Sequence, residues 1–208
     1  ATPDPDAIHA AREALAAALA QAHQRALARL YDAMASFGPY RPDAEGAGRR
    51  SLRLACLGPL SRLDGGARAK ALFADATNMT ERQGALEQLV TLGRDAEALA
   101  DFARDFSDNR LVMDKWFMVQ PLRSPPRQAA ARARALAARP DFDWKNPNRF
   151  RALIGGLTAN HAGFHAADGS GYDFVAEWLM RLDPVNPQTA ARMCSAFETI
   201  SRLSLIHI

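Results

Sequence analysis

The sequence predicts an all-α protein, built as an irregular superhelical array of antiparallel helical hairpins of the armadillo or HEAT kind. Apolar residues recur three or four positions apart along most of the 208 residues, in segments joined by short connections. A capping residue followed by proline, which is a typical helix start, occurs at Ser124-Pro125, Asn146-Pro147 and Asn186-Pro187. No segment shows sustained alternation with β-branched residues, so no sheet is predicted. No repeat of fixed length is found, which favours an irregular array.

In the first part of the chain, Asp4-Pro5 predicts the start of a long alanine-rich helix, which should end near Phe37-Gly38-Pro39. A glycine-bearing loop is expected from Asp43 to Gly48. The next apolar segment should be closed by Gly58-Pro59, and Gly65-Gly66 predicts a turn before the following helix.

Further along, the segment from Thr80 to Gln83 fits a capping box and predicts a helix that ends at Gly93. The helix that carries Trp116 should stop at Pro121. The turn from Asp168 to Gly171 should then precede a helix that begins near Tyr172.

Composition excludes several classes of protein. With 48% hydrophobic and 24% charged residues, the chain is typical of a globular domain rather than a disordered or fibrous one. No apolar stretch reaches the length of a membrane-spanning helix, and residues 1–6 do not resemble a signal peptide. The two cysteines, Cys56 and Cys194, favour a reducing compartment, so we expect a cytoplasmic location.

The charge of the chain gives little support for a nucleic-acid partner. The net charge is only +3, although the isoelectric point is near 9.2. The basic residues are mostly arginines, because lysine stands only at Lys70, Lys115 and Lys145. The run from Arg123 to Arg139 holds five arginines and no acid, but no aromatic residue lies inside it to stack a base. We interpret it as a solvated helix face rather than as a patch for RNA or an acidic partner.

Two histidines four residues apart, His161 and His165, are the pattern closest to a metal site, because this spacing places both rings on one face of a helix. Ala162 stands where a zinc peptidase would carry its glutamate, and Gly163 favours a loop. A third ligand would have to come from Glu177 or Glu198. We therefore predict no metal site and favour His165 as a structural hydrogen-bonding residue.

Other residues that could carry chemistry are better interpreted as structural. Cys194 lies beside Met193 and Phe197, which favours an inert buried thiol over a nucleophile. Trp116 and Phe117 are predicted to belong to the core. We therefore predict no catalytic residue in this chain.

Three strings resemble the C-terminal helical domain of bacterial aminopeptidase N, the family of zinc-dependent alanyl aminopeptidases. They run from Asn109 to Phe117, from Asn146 to Gly155 and from Phe164 to Tyr172, and they occur in the family's order. Weaker similarities extend the match from residue 4 to about residue 203. The resemblance implies a helical domain over residues 4–203 and a tail at residues 204–208 that is foreign to the family. It also implies that the last hairpins of the domain are missing.

The resemblance implies a domain that caps the active site of a peptidase and controls the access of peptides. Zinc and all catalytic residues would belong to a catalytic domain of the same polypeptide, so this chain alone should be inactive and hold no cofactor. Arg151 and Arg192 match family positions that face the enclosed cavity. Both guanidinium groups suit the terminal carboxylate of a peptide substrate, but each could instead form an interdomain ion pair.

The parent enzyme is expected to be monomeric and to bind neither nucleic acid nor membrane. The alternative is a stand-alone helical scaffold that binds a protein or peptide in its concave groove.

Overall fold

The computed structural model describes residues 3–35 and 40–203, and throughout these residues the secondary structure is helical, without a strand. The predicted all-α class is therefore confirmed. No helix among the described residues is long and apolar enough to cross a membrane. The chain divides into two compact units. We call residues 11–101 the first unit and residues 1–10 with 102–208 the second unit.

The first unit contains most of α1 and the start of α5, and its other helices lie wholly within it. Its core consists of aliphatic side chains together with Phe73, Tyr31 and Cys56. Arg53 donates from Nη1 to the Glu81 carboxylate at 2.7 Å and lies over the ring of Tyr31. The helices that build this unit are α1 (Pro5–Ala33), α2 (Ala44–Asp64), α3 (Ala67–Asp75), α4 (Met79–Thr91) and α5 (Ala96–Phe106).

The second unit contains a cluster of buried aromatic rings. The ring of Trp178 lies 5.3 Å from that of Phe142 and 6.5 Å from that of Phe150, and Phe117 lies 5.8 Å from Phe142. Trp116 and Phe117 are buried, as predicted. The remaining helices are α6 (Arg110–Arg123), α7 (Pro126–Ala137), α8 (Pro147–Ala159), α9 (His161–Phe164), α10 (Ser170–Leu182) and α11 (Pro187–Met193), followed by 3₁₀ turns at Cys194–Phe197 and Ile200–Arg202.

Several predicted helix ends are confirmed by hydrogen bonds at the caps. The Asp4 carboxylate accepts from the backbone of Asp6, and α1 begins at Pro5. Asn146 and Asn186 cap α8 and α11, each with proline as the first helical residue. The end of α1 predicted at residues 37–39 lies outside the described residues, as does the tail at residues 204–208.

Other predicted boundaries are wrong. The expected loop from Asp43 to Gly48 is the start of α2, because the Asp43 side chain accepts from the Gly46 backbone at 2.8 Å. Pro59 lies inside α2 and Pro121 inside α6. A proline inside a helix removes one backbone hydrogen bond, but both helices bury apolar faces whose packing offsets that loss.

Two predicted caps are displaced. Asn78, not Thr80, caps α4, because the Asn78 Oδ1 accepts from the Glu81 backbone at 3.0 Å. The helix predicted to start at Ser124-Pro125 starts at Pro126 instead, because the Ser124 hydroxyl donates to the Gln120 carbonyl of α6.

Candidate functional site

A cleft of about 920 Å³ lies within the second unit. It is bordered by one face of α8, by the start of α9, by α11 and by the 3₁₀ segment that follows. Among the described residues that line it, none carries a carboxylate. The lining residues are Arg151, Gly155, Thr158, Ala159, His161, His165, Gln188, Thr189, Arg192, Met193, Ser195, Ala196 and Thr199.

Helix α8 presents opposite faces to the core and to the cleft. Its buried side carries Phe150, Leu153 and Leu157. Arg151 and Gly155 lie one helical turn apart on the opposite side of the helix, and both line the cleft. A Cβ atom added at Gly155 would meet no atom within 4 Å, so this position leaves the wall of the cleft without a side chain.

The two arginines carried over from the family resemblance meet at this cleft, although 41 positions separate them along the chain. The Arg151 side chain donates from Nε to the Pro147 carbonyl at 3.0 Å and from Nη2 to Asn148 Oδ1 at 2.9 Å. Arg192 is exposed in the last turn of α11. Within the part of the chain that the structure describes, neither guanidinium is paired with a carboxylate. The cleft is therefore positively charged and suits an anionic group.

A polar network reaches from the protein interior to the cleft. His165 is buried, and its Nδ1 lies 2.7 Å from the Tyr172 hydroxyl while its Nε2 lies 3.3 Å from Thr199 Oγ1. The interpretation of His165 as a structural hydrogen-bonding residue is confirmed. Burial lowers the pKa of His165, and the charge of nearby His161 lowers it further. Burial also raises the pKa of the Tyr172 hydroxyl. Both groups are therefore held in their neutral forms near neutral pH.

The segment that carries the paired histidines is a single helical turn rather than the expected loop. Asn160 caps α9 by accepting from the Gly163 backbone at 3.2 Å. A Cβ added at Gly163 would lie 2.7 Å from that of Ala129, so this glycine permits the close approach of α9 to α7. The rings of His161 and His165 stack at 6.3 Å with planes 8° apart. No group of three His, Cys, Asp or Glu side chains within residues 3–35 and 40–203 could hold a metal ion.

The interpretation of Cys194 as a buried thiol is wrong. Its side chain is exposed, because the chain leaves the α-helical path after Met193 and the apolar face predicted around Cys194 does not form. Cys56, by contrast, is buried, and burial raises the pKa of its thiol.

The arginine run behaves mainly as a solvated face. Arg127 is exposed, Arg134 pairs with Glu177, and Arg139 forms two hydrogen bonds to the Asp141 carboxylate. The bidentate bond to Arg139 holds the pKa of Asp141 below its usual range. Within the described residues, part of the charge of the run is therefore neutralised by acids that follow it in sequence.

Comparison with known proteins identifies the family. A family described as a domain of unknown function with ARM repeats (DUF3458_C) matches residues 1–205. The chain belongs to this family. Aminopeptidase N of Caulobacter vibrioides is 41% identical over 196 residues, which are 91% of this chain and 23% of the relative. Aminopeptidase N of Escherichia coli is 37% identical over 208 residues, again 23% of its length.

A solved structure carries the same fold. Aminopeptidase A of Legionella pneumophila, in complex with aspartic acid, superposes with a TM-score of 0.88 at 28% identity, over 97% of this chain and 25% of that one. This ARM-repeat family member therefore corresponds to the C-terminal region of aminopeptidases N and A and spans about a quarter of their length.

Sequence reasoning did not find the cleft residues other than the arginines and histidines. Gln188 and Thr189 follow the Asn186-Pro187 helix start, but this signal indicates a cap rather than a site. Thr199 lies between two 3₁₀ turns, where no periodic pattern marks its direction.

Proposed function

We propose that this chain is the part of a zinc aminopeptidase that caps the active site and controls the access of peptides. Its partner is then the catalytic domain of the same polypeptide, which holds the zinc and removes N-terminal residues from peptides. This chain contributes no ligand to the metal and no catalytic residue. The chain alone is inactive, and the parent enzyme is a monomer of the cytoplasm.

The observation that carries this proposal is the meeting of Arg151 and Arg192 at one cleft with no carboxylate among its described lining residues. An aminopeptidase needs the N-terminal end of its substrate at the metal, so the C-terminal carboxylate of a short peptide lies farther away. A guanidinium group is a fixed fork of donors that matches a carboxylate. Arg151 and Arg192 thus attract and orient the C-terminal end of the peptide.

Alanine substitutions of each arginine in the full-length enzyme test this function. We expect R151A and R192A each to lower kcat/KM about tenfold for dipeptides and tripeptides with a free C-terminal carboxylate. The same peptides with a C-terminal amide should lose little, because they present no negative charge to the cleft. R134A is the matched control, since Arg134 is also exposed in the second unit but pairs with Glu177 away from the cleft.

Unchanged kcat/KM across the carboxylate peptides would remove the substrate role of the two arginines. An equal loss for the carboxylate and amide peptides would indicate instead that each arginine forms an ion pair with the catalytic domain.

A further inference from the structure

One of the hydroxyl groups that line the cleft, that of Thr199, forms a hydrogen bond with a buried histidine. Thr199 lines the cleft, and its Oγ1 also lies 3.3 Å from Nε2 of the buried His165. The other ring nitrogen of His165, Nδ1, lies 2.7 Å from the Tyr172 hydroxyl. The imidazole therefore bridges a half-buried phenol and a hydroxyl at the cleft surface.

We infer that Thr199 is a ligand-binding residue of this cleft, held by Tyr172 and His165 as a hydrogen-bond donor to the carboxylate of a bound peptide. The inference rests on the proposed function, because it adds a third contact to the group that Arg151 and Arg192 attract. Thr199 contacts the ligand, whereas His165 and Tyr172 are positioning residues.

The direction of the network follows from the acidity of its members. A neutral imidazole carries one N–H and one acceptor nitrogen. A phenol is a stronger donor than an imidazole N–H, and an imidazole nitrogen is a stronger acceptor than a phenol oxygen. Tyr172 therefore donates to Nδ1, and the proton of the ring lies on Nε2. Nε2–H then donates to Thr199 Oγ1, and the Thr199 hydroxyl proton is left to point into the cleft.

The surroundings of the network favour this arrangement. His165 is buried and packs 4.8 Å from the ring of Phe164. Tyr172 packs edge-on against Phe164 at 5.1 Å and lies 5.9 Å from Phe197. These contacts fix both rings, so the hydrogen-bonding direction is set before a ligand arrives. Burial lowers the pKa of His165 and raises that of Tyr172, so both remain neutral.

The first measurement is the tautomer of His165 in the 208-residue chain labelled with ¹⁵N at histidine. We expect Nδ1 to resonate as an unprotonated nitrogen and Nε2 as a protonated one. In Y172F the donor to Nδ1 is lost while the ring packing is kept, so the signals should move toward a mixture of tautomers. Y31F is the matched control, because Tyr31 is a buried tyrosine of the first unit.

The second measurement is peptide binding to the same chain, with trialanine and its C-terminal amide as probes. T199V removes the hydroxyl with little change in volume and should weaken trialanine binding about tenfold. T199S retains the hydroxyl and should bind trialanine within about twofold of the unchanged chain. Y172F should weaken binding by a smaller factor, and no variant should change the weaker binding of the amide.

The possible negative results can be told apart. If the unchanged chain does not prefer trialanine over its amide, the carboxylate-binding role proposed for Arg151 and Arg192 fails, and Thr199 loses its ligand with it. If that preference is present but T199V keeps it in full, the cleft binds carboxylates without Thr199 and the inference is overturned. A proton on Nδ1 of His165 would also overturn it, because Thr199 would then donate into the protein and not into the cleft.

Discussion

Arg149 of α8 donates from Nε to the Asp114 carboxylate of α6, and the two side chains are only 9% and 15% exposed. The same guanidinium donates from Nη1 to the Asp141 carbonyl at 2.8 Å and lies 4.4 Å from the centre of the Phe117 ring. This ion pair thus joins the two helices at the side of α8 that faces away from the cleft.

Removing Asp114 leaves the Arg149 charge buried without its partner. We expect D114A to lower the free energy of unfolding by about 3–5 kcal/mol, measured by urea denaturation. D143A is the control, because the Asp143 and Arg110 side chains are 57% and 72% exposed and should contribute less than about 1 kcal/mol. Equal losses in the two variants would contradict a special role for the buried pair.

Adjacent glycines on α8 should respond oppositely to substitution by alanine. A Cβ at Gly156 would lie 2.6 Å from the backbone oxygen of Met118, so G156A must push α8 away from α6 and should cost about 1–3 kcal/mol. At Gly155 the same Cβ meets open space, and G155A should stabilise the helix by about 0.5–1 kcal/mol. Thermal unfolding of both variants checks this, and a stabilising G156A would show that α6 and α8 can separate without cost.

Stability should fall as the pH is lowered through the titration of His165. Its pKa is lowered in the folded chain by burial and by His161, so the unfolded chain takes up the proton first. The stabilising contribution is complete above the unfolded pKa of about 6.5 and is lost as the pH falls toward the folded pKa. The loss in Tm from about pH 7.5 to about pH 5 should therefore be smaller in H165Q than in the unchanged chain.

H9Q serves as the control for that comparison, because His9 is exposed on α1. A pH dependence of Tm that is identical in H165Q and the unchanged chain would assign the effect to other groups.

The two thiols should differ in reactivity. Cys194 is exposed and Cys56 is buried with a raised pKa, so a thiol reagent such as Ellman's should modify one cysteine of the folded chain rapidly. The second should react only on unfolding. C194S should abolish the rapid phase and C56S should keep it. A rapid phase that survives in C194S would show that the helix around Cys56 opens readily.

Much of the fold could be predicted because its signals are local. Asn146 and Asn186 are followed by a proline that occupies the first helical position, and each asparagine side chain accepts from a backbone N–H within three residues. Predicted helix boundaries were wrong where tertiary packing outweighed a local signal, or where a second residue nearby could also serve as the cap. Pro121 does not end α6, because the helix packs along α8. Asn160 donates to the Pro121 and Ser124 carbonyls, which satisfies the end of that helix from elsewhere in the chain.

The candidate site was less accessible to sequence reasoning. Arg151 and Arg192 came from family resemblance, and their meeting depends on how α11 returns to α8, which no spacing encodes. Thr199 was missed for the same reason, because its hydrogen bond to His165 joins residues that are 34 positions apart in the sequence. His165 was recognised as a hydrogen-bonding residue because a buried imidazole needs partners, but neither partner could be named from its neighbours.

The two sides of α8 differ, since one is tied to α6 by an ion pair and the other lines the cleft, and this difference affects how the cleft recognises a ligand. The helix is fastened to α6 through Arg149 on one side, while Arg151 on the other side is already restrained by Pro147 and Asn148. The α8 wall is thus already ordered when the chain folds. Ligand binding therefore does not carry the entropic cost of ordering it. Gly155 adds no side chain to this wall. Under the proposed function, a peptide backbone can pass Gly155 without meeting a side chain, so we expect the cleft to distinguish peptides mainly by their C-terminal carboxylate.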